Sequence, residues 1–253
     1  MKKRSIKDAV KAKYSQIAEQ SQQTCCLSCG CGLSPLFQAG NIGYTKEDLE
    51  SIPMEAVMGL GCGNPAALAD LKPGETVLDL GSGGGIDVFL AANKVGPKGK
   101  AIGIDMTEAM IDKANAVTKG SGYGNVEFRL GEIEKLPVAD NSADAIISNC
   151  VINLSPDKSQ VFHEAYRVLR QGGRLTVSDI VTERVLSDEV RSDLNAWAGC
   201  IAGALEKKEY LNKIKEAGFS DSEILSNREF YVEDGDNKEM VKLFSITLRA
   251  YKH

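Results

Sequence analysis

Residues 77–88 read VLDLGSGGGIDV: an apolar run, a glycine-rich turn, then the opening of another apolar segment. Glycine accepts left-handed backbone and lets a main chain approach a ligand closely, and the amides at a following helix N-terminus face outward. The stretch therefore predicts a strand, a ligand-facing turn and a helix. From Pro73 onward the same alternation continues. TVLDL (76–80), AIGID (101–105), VEFRL (126–130), AIIS (145–148) and GRLTVSDI (173–180) are the expected strands, and 86–95, 107–119 and 157–170 the expected helices. Such alternation predicts an α/β fold built on a doubly wound, mainly parallel sheet. The helix from Asp157 starts behind Ser155-Pro156 and is expected to stop at Gly172-Gly173, with Val161, Ala165, Val168 and Leu169 on one face. Residues 188–218 read as two further helices, and SEILS (222–226), EFYV (229–232) and LFSITLRAYK (243–252) as later strands.

The first 55 residues lack a strand pattern and contain CCLSCGCG, so a helix followed by an irregular cysteine-bearing arm is expected there. The chain thus divides into an arm at 1–55, a nucleotide-type core at 56–180, and a helical and strand section at 181–253. With 253 residues, 43% of them hydrophobic, one sizeable core is expected. A net charge of −5 argues against broad binding to a phosphate backbone, so nucleic acid is not an expected partner. No run approaches the roughly 18 apolar residues of a membrane span, and the polar start is unlike a signal peptide; the expected setting is the cytoplasm, without membrane contact. Seven cysteines in a reducing compartment point to metal binding or thiol reactivity rather than disulfides.

The spacing of the glycine turn separates cofactor classes. A dinucleotide site would follow G-x-G-x-x-G, but counting from Gly81 and Gly83 puts Ile86 at the third glycine position, which disfavours a nicotinamide cofactor. Asp79 precedes the turn, Gly81, Ser82, Gly83 and Gly85 form it, and Asp105 ends the next strand, where a carboxylate can bind ribose hydroxyls. Together these residues resemble the Rossmann-like S-adenosylmethionine methyltransferases. GEIEKLPVADNSADAIIS and EAYRVLRQGGRLTVSD are similar to further parts of that family, over about residues 60–180. The resemblance implies S-adenosylmethionine as cofactor. It places Gly81 to Gly85 at the methionine portion, Asp105 and Met106 at the ribose and adenine, and Glu132 and Ile133 beside the adenine. Asn149 stands at the carboxyl end of the fourth strand, where such sheets bind ligands.

An oxygen or nitrogen acceptor for a methyl group usually needs a base to take its proton. The chain has only two histidines, His163 on the helix after the fourth strand and His253 at the last position. Thiols are placed differently: Cys62 in GLGCGNP, Cys150 in SNCVINLS and Cys200 in WAGCIAGAL belong to three separate segments around the expected cofactor site. Three thiolates suit a soft, three-coordinate centre. Trivalent arsenic is such a centre, and its remaining lone pair can attack a methyl group without a general base.

GLGCGNP, the glycine loop, SNCVINLSPDK and CIAGAL together resemble the arsenite methyltransferases over nearly the whole chain. That resemblance implies arsenic ligation by Cys62, Cys150 and Cys200, with Cys25 or Cys26 as an auxiliary thiol. It further implies arsenite and methylarsenite as substrates and a glutathione or thioredoxin-like reductant. No tightly bound metal is expected, although CCLSCGC offers four crowded thiols as an alternative zinc site. Other readings are a methyltransferase for a quinone- or sterol-like acceptor and a non-catalytic metalloid- or zinc-binding protein. Tyr14 and Asn153 either border the site or serve as packing and turn residues, and Trp197 either covers the pocket or anchors its helix.

Overall fold

The computed structural model describes residues 3–20, 34–235 and 239–253. Cys25 and Cys26, with the rest of CCLSCGCG, lie outside the described residues. The first strand, β1 (Thr76–Leu80), is buried at nearly every position, the pattern of a strand covered on both faces. Its neighbours are β2 (Lys100–Asp105), β3 (Val126–Leu130), β4 (Ala143–Asn149) and β5 (Leu169–Thr182). All four join it in parallel ladders, and β6 (Ser220–Asp234) and β7 (Glu239–Tyr251) add antiparallel pairs to give the order β3-β2-β1-β4-β5-β7-β6. The fold class expected from the sequence is therefore observed.

Long-range order reverses between β1 and β4. The chain moves outward from β1 through β2 to β3, then returns to the other side of β1, so a crevice opens above the carboxyl ends of β1 and β4. Helices α5 (Ile86–Val95), α6 (Glu108–Ser121) and α7 (Lys158–Val168) make the crossovers. The α7 start is capped as its sequence indicates, with the Asp157 side chain accepting from the Gln160 amide at 3.2 Å. Its buried stripe includes Phe162 beside Val161, Ala165 and Val168.

Two boundaries differ from expectation. Helix α7 ends at Val168, before Gly172-Gly173, because fully buried Leu169 turns extended and pairs with Ala143. The two glycines then sit in an irregularity of the β4–β5 ladder, where the Gly172 amide donates to the Lys252 carbonyl at 2.7 Å. SEILS and EFYV are parts of one strand, β6, since Asn227 and Arg228 between them pair without a break on β7; two register shifts fall earlier, between Ser220 and Glu223 and between Ile224 and Ser226.

Short helices before the core, α2 (Pro35–Asn41), α3 (Lys46–Glu50) and α4 (Pro65–Leu68), pack on its α5 side, while α1 (Lys3–Gln20) packs against α6 and α9 (Leu194–Ala198). Two more helices follow β5 besides α9: α8 (Asp188–Ser192) and α10 (Lys207–Glu216), three where two were expected. Among the described residues, no helix is long and apolar enough to cross a membrane. Phe162 carries much of the packing between α7 and α10: it is fully buried and meets Tyr210 edge-on with ring centroids 5.4 Å apart. Phe162→Ala is expected to cost about 3–5 kcal/mol of stability. Urea unfolding measures this, and a loss below about 1 kcal/mol would remove that contact from the core's main supports.

Candidate active site

The crevice above β1 and β4 encloses a cavity of about 350 Å³. Its first wall is the glycine turn, where φ is positive at Gly81, Gly83 and Gly85. The Gly83 conformation aims its amide at Asp105 Oδ2 (3.0 Å), while the Thr107 amide donates to Oδ1 (2.8 Å). Burial pushes the Asp105 pKa up despite these two donors, which fix the carboxylate at the cavity edge. Asp79, Gly81, Ser82, Gly83, Met106, Ile133 and Asn149 also line the cavity. Gly85 does not line it; a Cβ there would lie 2.7 Å from Phe128 Cζ, so this glycine serves close packing of the turn on β3. Glu132 departs from expectation. Its exposed side chain turns to Lys7 on α1 at 2.8 Å, and Ile133 and Glu134 face the cavity instead.

Two acids under the turn form a buried pair. Burial and the neighbouring Asp87 charge hold Asp79 well above the ordinary carboxylate range. Burial also pushes Asp87 up to about 6, against hydrogen bonds from Tyr44 and Asn149. Tyr44 donates to Asp87 Oδ2 at 2.9 Å, while Asp87 Oδ1 and Ser82 Oγ are buried without protein partners. This wall suits a ligand that brings positive charge and hydroxyls. Sequence reasoning missed Asp87 and Tyr44; Asp87, in the first turn after a ligand-facing glycine loop, was the findable one.

The opposite wall is made of sulfur. Cys150 follows β4 and Cys200 follows α9, and both line the cavity. Both adopt left-handed backbone, φ 60° at Cys150 and φ 63° at Cys200, whereas the other described non-glycine residues with positive φ are Asp or Asn. Such conformations cost about 1–3 kcal/mol each and persist only where surrounding contacts impose them. Here the Cys150 amide donates to the Ser178 carbonyl (2.8 Å), and the Cys200 thiol donates to the Cys150 carbonyl (2.9 Å). Cys200 is also tied down from behind. Buried Asn153 donates to the Ile180 (2.6 Å) and Cys200 (3.4 Å) carbonyls, and the Thr182 amide at the end of β5 holds the Leu205 carbonyl at 2.9 Å.

Cys62 stands beside Cys150. Its loop is held by its amide donating to Asn149 Oδ1 (3.0 Å) and by Ser245 on β7 donating to its carbonyl (2.6 Å). Gly61 has φ 114° and a Cβ there would come within 2.8 Å of the Asn149 amide group, so only glycine allows this approach. The sulfurs of Cys62 and Cys150 and a carboxylate oxygen of Asp179 lie within 4.8 Å of one another, all three residues buried. Interactions with the Cys200 and Cys62 thiols, then burial, raise the Cys150 pKa well above the usual thiol value. The Cys150 contact favours the Cys62 thiolate, yet burial and the Asp179 charge leave its pKa raised. Burial likewise pushes Asp179 up to about 7, opposed by the Ile180 amide and the Tyr210 hydroxyl. Asp179 and Tyr210 were also not foreseen.

The remaining expected residues sort clearly. Tyr14 lines the cavity, its hydroxyl 3.5 Å from the Ala198 carbonyl. Trp197 is half-buried against the cysteine cluster, with Nε1 donating to the Arg191 carbonyl at 2.9 Å and Lys158 over its ring. His163 and His253 are exposed on the surface.

A doubly wound sheet whose glycine turn lies over buried acids fits a methyltransferase domain, and the family model described as Methyltransferase domain matches residues 71–218. Among curated proteins, the arsenite methyltransferase of Halobacterium salinarum is 44% identical over 97% of this chain and 66% of its own length. That of Homo sapiens is 33% identical over 98% of this chain and 68% of its own. The crystal structure of an arsenic(III) S-adenosylmethionine methyltransferase from Chlamydomonas reinhardtii superposes with a TM-score of 0.69 at 37% identity, covering 85% of this chain and 73% of that one. The chain belongs to the arsenite methyltransferase family, and spans about two thirds of the length of these curated relatives.

The Asp87 environment has a measurable consequence. A carboxyl raised from 3.8 to about 6 on folding adds stability below its unfolded pKa that is lost as pH rises through the folded value. The loss amounts to about 3 kcal/mol between roughly pH 4 and pH 8. Asp87→Asn removes this titration, so the ligand-free variant is expected to gain on wild type as pH rises. Urea midpoints of both proteins across that range test it; a pH-independent gap between them would show that Asp87 does not titrate as described.

Proposed function

We propose that this chain transfers the methyl group of S-adenosylmethionine to trivalent arsenic held by Cys62, Cys150 and Cys200. The observation that carries this reading is the convergence of three buried thiols from three segments at one side of a glycine-turn cavity, two of them in left-handed backbone. Arsenite exchanges its three hydroxyls for three thiolates, each thiol proton leaving in a molecule of water. Raised thiol pKa values suit this exchange, because Cys62 and Cys150 stay protonated and uncharged in their buried setting until arsenic arrives.

The acidic wall supports the cofactor assignment. Asp105 is placed to take ribose hydroxyls, Asp79 and Asp87 offer negative charge to a cationic ligand, and Ile133 and Met106 offer apolar surface to a flat base. When bound, S-adenosylmethionine supplies an electrophilic methyl on a sulfonium. The protein's part is positioning: Cys150 and Cys200 face the cavity and hold arsenic toward the methyl side, while α1, through Val10 and Tyr14, helps exclude water. A thiol reductant of the glutathione or thioredoxin type keeps the cysteines reduced, in a reducing cytoplasm, and Cys25 or Cys26 relays arsenic inward.

Labelled cofactor, arsenite and a thiol reductant incubated with the purified protein should give labelled methylarsenicals; a product labelled only on carbon, oxygen or nitrogen would sink the reading. Asp105→Ala should weaken cofactor binding by about 1.5–3 kcal/mol, the worth of a hydrogen bond to a charged group. Calorimetric titration checks this, and unchanged affinity removes Asp105 from the site. Valence gives a sharper expectation. Monomethylarsenite has one position blocked by carbon and can bind only two thiolates. Because Cys150 and Cys200 line the cavity and Cys62, beside Cys150, is not among its lining residues, Cys62→Ser should lose arsenite turnover yet still methylate monomethylarsenite. Cys150→Ser and Cys200→Ser should lose both. Chromatography of the arsenic species decides it, and a Cys62→Ser enzyme inactive on both substrates refutes this division of roles.

A further inference from the structure

Arsenic ligation leaves one member of the thiol cluster unused. Asp179, on β5, is fully buried, with Oδ1 accepting from the Ile180 amide (3.0 Å) and Oδ2 from the Tyr210 hydroxyl (3.0 Å). A carboxylate oxygen of this residue shares a space under 4.8 Å across with the sulfurs of Cys62 and Cys150. Two thiolates and one carboxylate, delivered by three different segments, are a donor set for a tetrahedral divalent cation that keeps its fourth position open. Bond lengths of about 2.3 Å to sulfur and about 2.0 Å to oxygen place such ligand atoms roughly 3.3–3.8 Å apart, within reach of side-chain rotation.

The surroundings are those of a held ligand set. Tyr210 and Ile180 orient the carboxylate, Asn149 and Ser245 fix the Cys62 loop, and Ser178 fixes Cys150. Buried Lys158, within electrostatic range of Asp179, offsets the surplus negative charge of three anionic ligands. Cys200 stands outside this set, its thiol engaged with the Cys150 carbonyl.

We infer that Cys62, Cys150 and Asp179 form a binding site for a borderline-soft divalent cation of the zinc class, exclusive with arsenic because both occupants need Cys62 and Cys150. Binding forms two metal–sulfur bonds and one metal–oxygen bond in place of aqua ligands that the hydrated cation releases to solvent; the two thiol protons, and the carboxyl proton where Asp179 carries one, pass to solvent as well. The fourth ligand is a water from the cavity. Zinc-class cations are then inhibitors that arsenite must displace, a property that deepens the arsenic reading of this pocket without depending on methyl transfer.

Cobalt(II) is the probe, titrated under reducing conditions into the 253-residue chain carrying Cys25→Ser, Cys26→Ser, Cys29→Ser and Cys31→Ser. The expected result is one equivalent of tetrahedral cobalt with sulfur-to-metal charge-transfer absorption, discharged by zinc and by arsenite. Asp179→Asn should weaken binding at least tenfold, and Tyr210→Phe, which keeps the carboxylate and removes one bond to it, by about tenfold. Cys62→Ser should abolish the band, and Cys200→Ser should retain it. Absence of the band in the parent protein overturns the site, as does parent-like binding in both Asp179→Asn and Tyr210→Phe. Loss of the band in Cys200→Ser would also overturn it, by placing the cation on the three thiols. Arsenite methylation assayed on the wild-type chain, which keeps Cys25 and Cys26, separates the two readings: failed methylation there with an intact cobalt band in the parent removes the arsenic function and leaves the cation site standing.

Discussion

Leu80 pairs with Ser148, so β1 and β4 release their chains at the same level, one into the glycine turn and the other into Asn149 and Cys150. This register brings the two halves of the site face to face. The contact is tight enough that a side chain at Gly81 would collide with Val151, the residue after Cys150. A shift of that ladder by one residue would turn alternate side chains to the opposite face and separate the turn from the thiol. Everything beyond the switch point, from the Cys62 loop to the α9 turn, is built around this pair of strand ends.

The site is held against its own preferences. Asp79, Asp87 and Asp179 are buried carboxylates raised by desolvation, and two cysteines sit in backbone that side chains disfavour. The remainder of the fold supplies the compensation. The continuous antiparallel pairing of β5 with β7, from Arg174↔Tyr251 to Thr182↔Leu243, anchors the strand that carries Ser178, Asp179 and Ile180. Each of these three touches the thiol region: Ser178 holds Cys150, Asp179 faces Cys62 and Cys150, and Ile180 holds Asn153. Pairing on both sides of β5 thus fixes the positions of the residues around the thiols.

The sheet, the glycine turn and the three cysteines were legible in the sequence because each has a local signature: apolar periodicity, spaced glycines, and thiols in short recognisable segments. Other parts had none. Asp179 reads as an ordinary polar residue within TVSDI; its meaning comes from Cys62 and Tyr210, which the fold brings from far along the chain. Tyr44 and Asp87 meet across 43 residues for the same reason. Glu132 and Ile133 were assigned together, but adjacent residues at a strand end point in different directions, and Lys7 on α1 drew Glu132 outward. The stop of α7 was misplaced because Gly172-Gly173, a breaker by local rules, was overridden by burial of Leu169 in the β4–β5 ladder.

Asn149 has one amide group and two employers. Its Nδ2 donates to Tyr44 and Asp87 on the acidic wall and to the Gly63 carbonyl beside Cys62, while its Oδ1 receives the Cys62 amide on the thiol side. A side chain shared in this way cannot answer to one wall alone. Whatever a ligand of the acidic wall does to the tilt of that amide is felt as a change in the Cys62 loop, and by thermodynamic reciprocity an occupant of Cys62 alters affinity at the acidic wall by the same factor. The two walls are thereby joined through one hydrogen-bonded side chain, and occupancy of either one is read at the other.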